Sequence, residues 1–250
     1  MHNQRLTSLA KTTMSSSLPP EMLDLIVDHL YDDPTALGAC CVVSKSWIPR
    51  TRKHLFARVK FNTTEFRIEL WKKAFPDPSN SPAHHTRTLS IHDAPVIATA
   101  DIHAFCNVVH LQLSNMDRTS LFLLRGFSPA IRSLSLIHAS LGDFNLICSF
   151  PLLEDLELVT LFPMKDEDGW NTPLKSPKLT GTLDFKMFWR ASSVTRQLLD
   201  LPGGLHFSKI TLLFSNEAAK SVTDLVSGCS GTLELLTLNF YPRGAFLSPL

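Results

Sequence analysis

Apolar residues near the amino end follow a helical period. In LPPEMLDLIVDHLYDD, which begins at Leu18, residues Met22, Leu23, Ile26, Val27 and Leu30 fall at i, i+3, i+4 spacing, with Glu21, Asp24 and Asp28 on the opposite side. The pattern predicts a short amphipathic helix with prolines at its mouth, where a missing N–H costs nothing. Asp32 or Asp33 then fits an N-cap, with Pro34 in the first turn of a second helix that presents Leu37, Cys40, Cys41 and Ser44. Cys41 and Val42 leave the buried side of that helix ambiguous. A third helix is predicted from near Ser46, with Pro49 in its tolerant first turn, an apolar side of Trp47, Ile48, Leu55 and Phe56, and basic residues outside. Three helices in about forty residues cannot close a large core, so part of this apolar surface requires cover from another domain or another protein.

Farther along, the pattern changes. A helical or irregular stretch from Glu65 to Phe75 leads into PDPSNSP, residues 76–82, whose composition marks a linker. An apolar-polar-apolar step then recurs as Leu89-Ser90-Ile91, Leu111-Gln112-Leu113, Leu134-Ser135-Leu136, Leu156-Glu157-Leu158, Leu183-Asp184-Phe185, Ile210-Thr211-Leu212 and Leu236-Thr237-Leu238. One such triplet arises by chance about once in nine positions, so the spacing carries the argument. The starts lie 22, 23, 22, 27, 27 and 26 residues apart. That period suits repeats in which each unit gives one short parallel strand and a returning helix or irregular arm. Val108, Ile131, Leu153, Phe207 and Leu233, three residues ahead of their triplets, extend the pattern to LxxLxL. A mixed α/β domain with ordinary strands is the competing architecture.

Two resemblances follow. The ordered set Leu18-Pro19-x-Glu21, Leu23, Ile26, Leu30, Leu37, Val43-Ser44-Lys45-x-Trp47 and Leu55-Phe56 resembles an F-box over residues 18–58. The resemblance implies docking on a Skp1-like adaptor, and through it on a cullin, with Leu18, Pro19, Leu23, Ile26, Leu30, Val43 and Trp47 as contact residues. The alternative for any one of them, Ile26 and Trp47 especially, is to hold the three helices together. Residues 84–250 resemble the degenerate leucine-rich repeats attached to many F-box proteins, particularly fungal ones. The Asn or Cys expected three places after the second strand leucine is replaced by Ala94, Met116, Ala139, Leu161, Phe188, Ser215 and Tyr241, so no Asn ladder can form. The fold class expected is α+β: residues 1–17 a disordered leader with Met14 as an alternative start, 18–58 the F-box, 59–83 a helical or irregular linker, and 84–250 an α/β solenoid of about seven repeats.

In such a solenoid the polar residues of each strand share the concave face. Gln112, Asp155, Glu157 and Asp184 would lie on it, with acid at its centre. The face is expected either to receive a target segment carrying Lys or Arg, or to be a solvated surface without a ligand. The interruption PMKDEDGWNTPLKSP, residues 163–177, offers Trp170 as a second target contact, or as a residue packed on the adjoining repeat. The last triplet lies close to Leu250, so its strand is expected at the sheet edge, either capped by residues 241–250 or left open as in a shortened product.

Composition narrows the function. Of the 250 residues, 44% are apolar and 19% charged, as in an ordinary folded chain. No apolar run approaches the roughly 18 residues of a membrane span. Five cysteines without a CxxC pair suit a reducing compartment and buried hydrophobic roles. A net charge of +1 gives no general case for nucleic acid, although six cations and no acid lie between Lys45 and Lys60. That stretch reads as the solvated side of the third helix, as a phosphate-binding or nuclear-import patch, or as a surface for an acidic partner. Phosphate loops, GxSxG, HExxH and Rossmann fingerprints are absent, Gly228-Cys229-Ser230-Gly231 reads as a turn between repeats, and His84, His85 and His92 lack metal-ligand companions. The expectation is a non-catalytic substrate receptor of a ubiquitin ligase, cytoplasmic and/or nuclear, without cofactor, metal, nucleic acid or membrane. A scaffold or structural repeat protein that delivers nothing for ubiquitination is the alternative.

Overall fold

The computed structural model describes residues 19–62, 65–92, 103–116, 126–127, 129–141, 144–163, 177–187, 191–214 and 219–240. The expected leader, Leu18, Trp170 and the expected cap at 241–250 lie outside them. The chain divides into two compact units, Met1–Leu55 and Phe56–Leu250.

The first unit contains α1 (Pro20–His29), α2 (Pro34–Val43) and α3 (Ile48–Leu55). Asp33, not Asp32, caps α2, accepting the backbone N–H groups of Thr35 and Ala36 at 3.0 and 2.9 Å. Ser44 caps a single 3-10 turn, Lys45–Trp47, that leads into α3. Among the described residues its core is small, with Val27, Leu37, Cys40 and Thr51 as the buried side chains. Thr51 stays buried because its hydroxyl donates to the Trp47 carbonyl at 2.8 Å.

Asp28 joins α1 to α3. Arg50 donates to both carboxylate oxygens, through Nε at 2.6 Å and through a second guanidinium nitrogen, and His54 Nε2 lies 2.7 Å from Asp28 Oδ1. Arg50 is thus half-buried and bonded, not a member of a solvated basic row. The Arg50 bond, with His54 second, holds the Asp28 carboxyl well below the usual carboxylate range. A carboxylate depressed on folding adds stability above its unfolded pKa of about 3.9, and that stability is lost as pH falls through the folded value. With the pair one-third exposed, Asp28→Asn is expected to cost about 1 kcal/mol near pH 7. The gap between variant and wild type should narrow at the most acid pH at which both still fold, which urea titrations followed by helical circular dichroism would read.

The second unit is built on one parallel sheet. Its strands are β1 (Arg58–Phe61), β2 (Thr88–His92), β3 (His110–Ser114), β4 (Ser133–Ile137), β6 (Asp155–Val159), β8 (Thr182–Met187), β9 (Lys209–Phe214) and β10 (Leu235–Phe240), in chain order across the sheet. Two short strands, β5 (Ser140–Leu141) and β7 (Phe162–Pro163), pair separately. Helices α4 (Glu65–Ala74), α5 (Ala191–Leu199) and α6 (Ala219–Gly228), with 3-10 turns at Pro78–Asn80, Pro82–His85 and Phe144–Ser149, complete the described elements. Every triplet lies in a strand, and the register stacks them residue on residue: Leu89, Leu111, Leu134, Leu156, Leu183, Ile210 and Leu236 form one row. Strand alternation sends these side chains, with the parallel row from Ile91 to Leu238, to the core side of the sheet.

The sheet begins one strand earlier than the triplets predict. Val59 and Phe61 of β1 pair with Leu89 and Ile91 of β2, so the stretch expected as a linker is part of the repeat domain. Trp71 of α4 lies among Phe56, Phe61, Phe75 and Phe105, with ring centroids 5.0 to 5.8 Å away. These tilted and edge-on pairs add packing at the first rung of the core. The two compact units divide at Leu55/Phe56, and β1 and α4 belong to the second.

Main-chain bonds do the work that an Asn ladder would have done. Asn115, His138 and Thr160 each sit two residues after a strand's second leucine, with φ of 54°, 51° and 48°. Their N–H groups donate to Ile137, Val159 and Lys186 at 2.8 to 2.9 Å. The next residues, Met116, Ala139 and Leu161, turn into the core where Asn or Cys was expected. At the other end of the strands, one carbonyl accepts two successive N–H groups of the following repeat: Ala57, Arg87, Val109, Arg132, Gly181 and Ser208 each do so. Glu154 is the exception, accepting only Gly181 N–H at 3.1 Å.

Candidate functional site

Two surfaces, one on each unit, hold the residues singled out by the sequence. On the first unit Pro19, Ile26 and Val43 are exposed, while Leu23, Leu30 and Trp47 are half-buried. The last three serve the internal packing as well as the surface. Exposed Met22, Leu25, Tyr31 and Val42 join the apolar set, and sequence reasoning gave none of the four as a contact residue. Val42 and Val43 are 86% and 67% exposed. They extend beyond the buried Leu37–Cys40 side of α2, which resolves the ambiguity that Cys41 and Val42 created. Of the apolar face that periodicity gives α1, only Val27 is buried, which leaves Met22 and Ile26 exposed. The signal for Val42 was its place at the end of an apolar run too long for one side of a helix.

On the second unit the polar strand residues form a continuous row: Lys60, Ser90, Gln112, Ser135, Glu157, Asp184, Thr211 and Thr237 are register partners from one edge to the other. Gln112, Glu157 and Asp184 therefore share one row, as expected. Ser90 Oγ donates to Gln112 Oε1 at 3.0 Å, and Ser135 Oγ donates to Glu157 Oε2 at 2.6 Å. Lys186, from the adjoining row, places Nζ 2.7 Å from Asp184 Oδ2 and 3.3 Å from Glu157 Oε1. The Asp184 carboxylate, with Glu157 behind it, raises the Lys186 pKa and keeps the ammonium charged. The acid at the centre of the face is thus answered by the chain's own cation.

Asp155 is engaged in the fold. Its Oδ1 accepts Thr182 N–H at 2.7 Å, replacing the main-chain acceptor that Glu154 does not supply to that residue. The carboxylate also lies against Gly181, where a Cβ would come within 2.2 Å of Oδ1. No spacing rule reveals this role, since the partner is 27 residues away across an interruption.

The six cations from Lys45 to Lys60 are divided between the units, with Arg58 and Lys60 on β1. Cys229 follows α6 in a turn and is buried, and burial pushes its thiol pKa up, against nucleophilic use. His84 Nδ1 bonds the Ser81 carbonyl at 2.8 Å. Among the described residues no group of three His, Cys, Asp or Glu could hold a metal ion. No described helix is long and apolar enough to cross a membrane. No protein-family model matches the chain, and no curated protein matches it.

Proposed function

We propose that this chain is a substrate-recognition subunit of a Skp1-cullin-F-box ubiquitin ligase: the three-helix unit docks on a Skp1-like adaptor, and the repeat domain selects the target. The observation that carries the reading is the exposed apolar set of α1 and α2, Ile26, Val42 and Val43 above all, on a unit that buries only four side chains among its described residues. Branched aliphatic and aromatic residues at that exposure suit a helix-packed interface with its energy in a few desolvated anchors. Pro19 is exposed and Leu23, Leu30 and Trp47 are half-exposed on the same unit, and Leu18 precedes them in sequence. The chain would supply recognition only, and the ligase's chemistry would belong to its partners.

The test is binding of the full chain to purified Skp1. Ile26→Asp with Val43→Asp is expected to weaken binding at least about 100-fold, roughly 2.7 kcal/mol, because two exposed anchors are lost without disturbing the core. Asp184→Ala should bind Skp1 like wild type. Absence of binding by wild type, or full binding by the double variant, overturns the proposal.

A scaffold that binds the adaptor and delivers no target is the second reading. The ion pairs of Lys186 with Glu157 and Asp184 favour it, since the one ammonium already offsets half of that acidic charge. Cullin copurification accompanied by a ubiquitinated protein that accumulates in Gln112→Ala or Asp184→Ala cells would decide for the receptor.

A further inference from the structure

The last described strand breaks the rule of the others. At the two core-facing positions of β2 to β9 in the sheet, residues are at most 2% exposed, whereas Leu236 and Leu238 of β10 are 37% and 41% exposed and Phe240 is 61% exposed. β9 is the sole strand neighbour of β10 among the described residues. Edge strands present unpaired N–H and C=O groups, and proteins blunt them with charge, proline or a cover. The β1 edge carries Arg58 and Lys60. β10, Leu-Leu-Thr-Leu-Asn-Phe, has neither charge nor proline.

Its pattern is also symmetric. About Leu238 it reads apolar, polar, apolar, polar, apolar from Leu236 to Phe240 in either direction. An antiparallel strand of the same sequence centred on Leu238 sets Leu236 opposite Phe240 of the second copy, Leu238 opposite its own counterpart, and Thr237 opposite Asn239. Each face then matches itself, and no like charges meet. Centring the pair on Thr237 would instead set Phe240 against Glu234.

We propose that β10 is a self-association edge: two copies of this chain join through antiparallel β10 strands, with a two-fold axis at Leu238, and their sheets become one. A two-fold pair uses the same patch on both copies, which the symmetric pattern satisfies. Parallel sheets accept an antiparallel edge neighbour, and main-chain bonds along the edge supply the affinity. The proposal does not depend on docking to Skp1.

The test is the mass of the full chain by light scattering over a concentration series. Wild type is expected to rise from its 27.9 kDa toward twice that value, with hydrogen-exchange protection of the β10 amides increasing in step. Leu238→Lys and Leu238→Glu each place like charges face to face at the axis and should remain monomeric, with wild-type circular dichroism. Mixing the two variants should restore the doubled mass, because one Lys then faces one Glu. A wild type that stays monomeric at every concentration overturns the proposal. So does a doubled mass unaffected by either variant, or a pair of folded charge variants that fail to join. Protection of β10 in a monomer that does not vary with concentration would assign the edge to the chain's own residues and also overturn it. If a variant fails to fold, the concentration dependence of wild-type mass and protection still decides.

Discussion

Replacing Phe207 by Ala is expected to lower the unfolding free energy of the repeat domain by about 3–5 kcal/mol, the cost of a large cavity in a rigid core. Phe207 is fully buried and occupies the position three residues ahead of the Ile210 strand leucine equivalent, where Val108, Ile131 and Leu153 serve the earlier repeats. Its carbonyl also accepts the Thr232 hydroxyl at 3.3 Å, so movement of the backbone would be felt in the following repeat. Relaxation into the hole is limited because Leu205, Ile210 and Leu212 are themselves buried. For a domain of this size the loss corresponds to roughly a 10 °C fall in melting temperature, which calorimetry would measure. A change below about 1 kcal/mol would mean that the site collapses freely and that packing there is loose.

Gly181→Ala is expected to cost about 2–3 kcal/mol, although it adds a single methyl group. The new Cβ would lie 2.2 Å from Asp155 Oδ1 and 3.1 Å from the Glu154 carbonyl. The carboxylate can move only by giving up Thr182 N–H, which has this side chain as acceptor where the lead-ins of β2, β3, β4, β6, β9 and β10 have a main-chain carbonyl. The clash and the lost bond are the same event, which makes the effect diagnosable. Asp155→Ala alone should cost about 1–2 kcal/mol for the unsatisfied N–H. In the double variant the carboxylate clash is gone, so the two losses should sum to more than the double variant shows. Urea unfolding of the four proteins completes the cycle, and strict additivity would refute the shared-site account.

The leucine triplets were legible because strand alternation and core burial write the same period-two pattern, and the parallel register aligns it from strand to strand. β1 was not read as a strand, although Val59-Lys60-Phe61 has the same form. It starts 30 residues before Leu89, outside the spacing of 22 to 27, and its Arg58 and Lys60 looked continuous with the basic residues of α3. The Leu183 repeat hid its lead-in residue for a backbone reason: Leu179, one place early and at φ 43°, fills the core position while Thr180 takes the expected spacing. On the three-helix unit, helical periodicity located α1 and its apolar face, but not that Val27 alone of that face is buried. Charge pattern placed Asp28 outside, whereas Arg50 and His54, 22 and 26 residues away, draw it into a bonded cluster. The polar face was legible as a row of residues; that Lys186 answers its acids and Asp155 serves the strand junction follows from distances no linear pattern encodes.

Because the eight strands sit side by side in the order of synthesis, each new rung finds its only required neighbour already in place when it leaves the ribosome. Growth would start from the aromatic cluster around Trp71, the first rung made, and proceed without waiting for distant sequence. A chain built this way can mature while it is still being translated.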